Sequence, residues 1–128
     1  MVEQVAKLVK KYNGRTLQDD GCVVSREYRY FQNAFHKAMG AIAESIGAKV
    51  VKTYNGHYDM SGFIERDGKF VYYCYSVIWL RTNVRLDDRS AMYVRSAKSV
   101  TDFHGGSNNH VAFVDCANVI DKILNQGF

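Results

Sequence analysis

Asp59, Glu65 and Lys69 combine two carboxylates with a lysine, the residue types with which nucleases hold Mg²⁺ beside a basic group. In such sites the second acid and the lysine lie two apart on one strand and point the same way. Here Glu65 and Lys69 flank Asp67-Gly68 and belong on opposite arms of a turn, which counts against metal-dependent phosphodiester cleavage. Thiol chemistry is the second possibility. Cys22, Cys74 and Cys116 are odd in number, widely spaced and without a CxxC pair, so they read as reduced thiols and not as a disulfide framework. Cys116 falls in the first turn of an expected helix, where the dipole favours a thiolate, and His104 or His110 would be its base. His104, His110 and Cys116 recur at six-residue intervals, but no short ligand pair anchors them, and neither a metal site nor a cofactor is expected. With no convincing catalytic set, the chain is read as a non-enzyme.

Binding chemistry has more to draw on. Gly105-Gly106-Ser107-Asn108-Asn109 is rich in residues that tolerate left-handed backbone and offer amides to an anion. It lacks the Gly-Lys-Ser/Thr of a phosphate-binding loop and precedes a strand, so a structural loop is the plainer reading. Nine tyrosines are present, and Tyr54, Tyr58, Tyr72, Tyr73, Tyr75 and Tyr93 fall on or beside expected strands, where they either stack on a partner or simply fill a sheet. Arg81, Arg85 and Arg89 follow the central apolar run and are expected to form a basic rim, with Trp79 and Tyr93 as aromatic anchors and Tyr73 and Tyr75 on the same surface. Arginine beside tyrosine or tryptophan suits an interface, because a guanidinium pairs with an anion while its face stacks on a ring. The bland alternative is a solvated loop whose arginines pair with Asp87 and Asp88.

These residues must be held by local elements. Val2, Val5, Val9 and Tyr12 repeat at helical spacing and predict a short first helix closed by Asn13-Gly14, followed by a loop with the turn signal Asp19-Asp20-Gly21. Phe31, Phe35, Ala38, Ile42 and Ile46 predict a longer helix between Ser25 and Gly47, with His36 and Lys37 off its apolar stripe and in solvent. Strands follow over Lys49–Tyr54, Met60–Arg66 and Lys69–Ser76. Asp67-Gly68 suits a two-residue type I′ turn that sets Ile64 opposite Val71 and Phe63 opposite Tyr72. That register makes both faces of the hairpin apolar, so the second face is either covered or meets a partner. Ala91–Ala97 and Val111–Val114 predict two further strands, and Asp115 opens a last helix whose Val119, Ile120, Ile123 and Leu124 face inward. The order describes one α+β domain over 1–128, a mostly antiparallel β-meander packed with about three helices.

The 128 residues, 47% hydrophobic and 23% charged, exclude disordered and low-complexity classes. The run from Phe70 to Leu80 falls far short of the ~20 apolar residues of a spanning helix, and the first residues do not form a secretory signal, so a cytoplasmic protein without membrane contact is expected. Seventeen Lys and Arg against thirteen Asp and Glu give a net charge of +4. This permits contact with nucleic acid and excludes a mimic of DNA charge, while the oligomeric state is left open.

The segments Ser61-Gly62-Phe63-Ile64-Glu65-Arg66-Asp67-Gly68-Lys69-Phe70-Val71-Tyr72-Tyr73, Tyr93-Val94-Arg95-Ser96-Ala97-Lys98 and Asp102-Phe103-His104-Gly105-Gly106-Ser107-Asn108-Asn109 resemble small accessory proteins of phages and conjugative elements of Gram-positive bacteria. The resemblance covers residues 60–110 at most and brings no catalytic motif. Such proteins include inhibitors of host defence, among them anti-CRISPR proteins, which work by occupying a nuclease surface. The resemblance therefore implies a protein partner, a nuclease complex included, and an inhibitory binding function, with direct nucleic-acid contact as the alternative.

Overall fold

Residues 7, 8, 10, 11, 26–56, 59–76, 92–104 and 106–126 are described in a computed structural model of the protein. The strongest apolar stripe of the sequence becomes helix α1, Arg26–Ser45, and Phe31, Phe35, Ala38, Met39, Ile42 and Ala43 along it are all buried. Its C-terminus closes by a Schellman motif. Gly47 takes a φ of 72°, its amide bonds to Glu44 O at 3.1 Å, and the Ala48 amide reaches back to Ala43 O at 2.9 Å. Glycine at this position escapes the Cβ clash that any other residue would meet in left-handed backbone.

The chain then enters a five-stranded antiparallel sheet: β1 (Lys49–Asn55), β2 (Asp59–Arg66), β3 (Lys69–Ser76), β4 (Met92–Ala97) and β5 (Asn109–Val111), hydrogen-bonded in sequence order. The meander turns on Asp67-Gly68, with φ of 53° and 78°, and pairs Ile64 with Val71 and Phe63 with Tyr72, the register expected from the turn. A 3₁₀ turn, Phe113–Asp115, leads directly into helix α2, Cys116–Gln126.

Pairing across the sheet sorts every strand residue onto one of two faces. Met60, Ile64, Val71, Tyr73, Tyr75, Met92, Val94 and Val111 face the two helices and form one core with Phe31, Phe35, Phe113, Ile120 and Leu124. Gly62 sits opposite Tyr73, and a Cβ there would lie 2.5 Å from the Tyr73 hydroxyl and 2.7 Å from Lys52 O, so only glycine leaves room for that ring. Arg66 clamps both helix ends to the sheet, donating to Ile46 O at 2.8 Å, to Asp121 Oδ1 at 2.6 Å and to Asn125 Oδ1 at 2.8 Å.

Two expectations are corrected. Val111–Val114 is not one strand: the ladder ends at Val111, and the Asp115 amide bonds to Ala112 O at 3.0 Å, which curls the chain toward α2, burying Phe113 and exposing Val114. Val119 and Ile123, as expected, pack against the core, half-buried beside the fully covered Cys116, Ile120 and Leu124. Among the described residues two helices stand as complete elements, against about three expected. Lys7, Leu8, Lys10 and Lys11, inside the expected first helix, are helical, whereas Val2, Val5, Val9 and Tyr12 lie outside the described residues. Among the described residues no helix is long and apolar enough to cross a membrane.

Candidate binding face of the sheet

The hairpin register that sends Ile64, Val71 and Tyr73 to the helices sends Phe63, Phe70 and Tyr72 the other way. Phe63, Tyr72, Cys74 and Ala97 are buried there, with Tyr54, Phe70, Tyr93 and Val100 half-buried around them. Among the described residues no helix packs on this second core. The connection between β4 and β5 folds over part of it and sets the Phe103 ring edge-on to Tyr54, Phe63 and Tyr72, with centroids 5.4, 5.5 and 5.8 Å away. Perpendicular ring contacts of this kind place the positive edge of one ring on the negative face of another. Phe103 is nonetheless 42% exposed, the outermost ring of the cluster.

The covering loop is held by its own polar groups. Asp102 accepts from the amides of Lys98 at 2.9 Å and His104 at 3.1 Å, and its carbonyl accepts from Arg95 Nη1 at 3.1 Å. Tyr54 adds a bond from its hydroxyl to Val100 O at 3.3 Å. Arg95 is only 4% exposed and lies 4.3 Å over the Tyr72 ring, its direct cross-strand neighbour, so its charge rests on an aromatic face. Lys52 approaches the Tyr54 ring at 5.9 Å, and Lys52 and Lys98 are exposed at the border of the cluster. The result is an aromatic surface whose edge carries the lysines together with the carboxylates of Asp59 and Glu65, which alternation along β2 sets on the same face as Phe63.

The residues expected to bind a partner divide three ways. Trp79, Arg81, Arg85 and Arg89 lie outside the described residues. Tyr93 is on the aromatic face, opposite Cys74 on one side and His110 on the other, with its ring 5.9 Å from the His110 ring. Tyr73 and Tyr75 are corrected: both are fully buried against α1 and belong to the main core, because alternation along β3 turns them away from Tyr72. Burial drives both phenol pKa values far above 10. Phe103 and Arg95, which were not among the expected binding residues, also belong to this face. A lone phenylalanine in an otherwise polar loop, and an arginine two residues from Tyr93 on the same strand face, were the available signals.

The candidate chemical groups are also placed. Glu65 Oε1 accepts from the Gly68 amide at 3.0 Å and its other oxygen lies 3.9 Å from Lys49 Nζ, so this carboxylate braces the hairpin turn. Among the described residues no group of three or more His, Cys, Asp and Glu is gathered to hold a metal ion. Cys116 does open α2, but it is fully buried, and desolvation pushes its thiol up to about 12, the reverse of what the helix dipole alone suggests. Burial raises the Cys74 thiol too, against the lowering effect of a bond from Tyr93.

His36, expected in solvent, instead reaches from α1 to the sheet. Its Nδ1 is 2.7 Å from the Tyr73 hydroxyl and its Nε2 2.8 Å from Asn55 Oδ1. Desolvation lowers its pKa, with the Asn55 bond opposing. Beside it Gln32 donates to Gly56 O at 3.1 Å, so one turn of α1 is pinned to the end of β1. No protein-family model, curated protein or solved structure matches the chain.

Proposed function

We propose that this is a non-catalytic binding protein of a mobile genetic element, which engages a partner protein through the aromatic face of its sheet, the face turned away from α1 and α2. The partner class we propose is a bacterial defence nuclease of the CRISPR type, met in the cytoplasm and inhibited by covering its surface. One observation carries the reading: Phe103 stands 42% exposed on a cluster of Tyr54, Phe63, Tyr72 and Tyr93 on which, among the described residues, no helix packs. Interfaces draw their energy from a few large rings and arginines that become fully desolvated at the centre of the contact. The resemblance of residues 60–110 to phage and conjugative accessory proteins supplies the class of partner.

Direct binding of nucleic acid is the second reading, supported by Lys52 and Lys98 at the edge of rings that could stack on bases. Salt separates the two. Contact with phosphates loses affinity steeply between about 50 and 200 mM salt, whereas a mainly apolar protein interface loses far less. Metal-dependent cleavage is disfavoured by the bracing role of Glu65, and incubating labelled nucleic acid and Mg²⁺ with wild type and Glu65→Ala tests it directly. Binding of purified protein to nuclease complexes and to bare nucleic acid, each measured at both salt concentrations, tests the proposal. Binding to neither class would overturn it.

A further inference from the structure

The glycine-rich loop, set aside as structural in the sequence, takes part in a cleft at the β5 end of the molecule. A space of about 380 Å³ opens between β4, β5 and α2, lined by Ser96, Ser107, Asn109 and His110 on one side and Val119, Lys122, Ile123 and Gln126 on the other. Its polar wall is preformed. Gly106 has a φ of 56° and is pressed so close to β4 that a Cβ would lie 2.5 Å from Ser96 Oγ and 2.8 Å from Ser96 O. Asn109 Nδ2 ties the loop from the other end, donating to Ser107 O at 2.9 Å and to Val94 O at 3.3 Å.

We infer that this cleft binds a small organic oxyanion, a phosphomonoester or carboxylate with a short apolar body. The charge balance of the lining is one-sided: among the described residues it contains Lys122, two hydroxyls and two amides and no carboxylate, while the His110 ring is turned to Tyr93 on the opposite face of the sheet. The nearest acid on α2, Asp121, is turned to Arg66 at 2.6 Å. An oxyanion would accept from Lys122 and the two serines, while Val119 and Ile123 offer apolar surface to the remainder of the molecule. The volume is near the lower end of small-molecule sites, roughly 300–1,000 Å³, so the ligand is of simple metabolite size. This inference is independent of the aromatic face, which lies on the other side of the sheet.

Phenyl phosphate and benzoate, titrated separately into ¹⁵N-labelled protein, test it, because each joins an oxyanion to one ring. We expect saturable amide shifts at Ser107, Asn109, Lys122 and Ile123 with at least one of them, and the probe that binds more tightly identifies the head group. Lys122→Gln should weaken that binding about tenfold or more, a loss of ~1.4 kcal/mol. Lys37→Gln, in the separate lysine-lined groove of Lys7, Lys11 and Lys37, should leave it unchanged. No saturation by either probe at about 10 mM, where even a millimolar site would be mostly filled, would overturn the inference. So would shifts confined to the groove beside Lys37, or binding that Lys122→Gln does not alter in a variant with an otherwise unchanged spectrum.

Discussion

Tyr73 and Tyr75 are neighbours on one face of β3, both fully buried and both carrying a hydroxyl into the same core, yet deleting those hydroxyls should have opposite effects. The Tyr73 hydroxyl lies 2.7 Å from His36 Nδ1. Tyr73→Phe removes that bond and leaves a half-buried imidazole nitrogen without it, a loss of about 1–2 kcal/mol. The Tyr75 hydroxyl has no hydrogen-bond partner among the described residues, so it carries a desolvation cost with nothing to offset it. Tyr75→Phe removes the cost and should be neutral or stabilising by up to about 1 kcal/mol. The two variants should therefore differ by roughly 2 kcal/mol although each deletes one oxygen. Urea unfolding followed by circular dichroism reads the difference as a shift in midpoint at constant slope. Equal losses in the two variants, or a larger loss for Tyr75→Phe, would refute the assignment of partners in this core.

Three further outcomes follow from the same packing. Burial lowers the pKa of His36 below its unfolded value of about 6.5, so the unfolded chain binds the proton more readily; stability is fully present above that pH and is lost as pH falls through the lower folded value, a dependence that His36→Gln should flatten in denaturation curves between about pH 4 and 7. Arg66→Ala should cost about 2–3 kcal/mol by thermal or urea unfolding, because a guanidinium with 16% of its side chain exposed bonds the end of α1 and two residues of α2, while Asp121→Asn, at a 43% exposed partner, should cost under about 1 kcal/mol. Gly62→Ala should destabilise by about 1–3 kcal/mol and displace the Tyr73 ring, seen as a change in near-ultraviolet circular dichroism, since the new methyl meets both that ring and Lys52 O.

The elements with strong local signals were legible in the sequence. The Phe31-to-Ile42 stripe, Gly47 and the Asp67-Gly68 turn each combine a periodicity with a backbone requirement, and together they fix α1, the central hairpin and its register. The two-faced hairpin was legible for the same reason, because register alone assigns Phe63 and Tyr72 to the side away from Ile64 and Val71. Whether that side was open was not legible: it depends on a loop far along the chain that returns Phe103 to Tyr54, and loop paths have no period. Tyr73 and Tyr75 were grouped with the surface tyrosines by residue type, although alternation from Tyr72 already separates them. His36 misled because a residue off an apolar stripe is usually solvated, whereas here Asn55 and Tyr73 meet it across the edge of the helix. Cys116 misled because helix position favours its thiolate while burial, the larger effect, opposes it.

The central claim is that the aromatic face engages a protein, and Phe103 is the residue that tests it with least disturbance, being half-exposed on a loop. The most direct measurement is the affinity of wild type and Phe103→Ala for bacterial defence nuclease complexes, with Lys122→Gln as a control and folding of each variant verified by circular dichroism. The account predicts that wild type and Lys122→Gln bind alike, that Phe103→Ala binds at least tenfold more weakly, a loss of ~1.4 kcal/mol or more, and that the wild-type affinity changes little with salt. Equal affinity of a folded Phe103→Ala variant, or binding seen only with nucleic acid and abolished by salt, would contradict it.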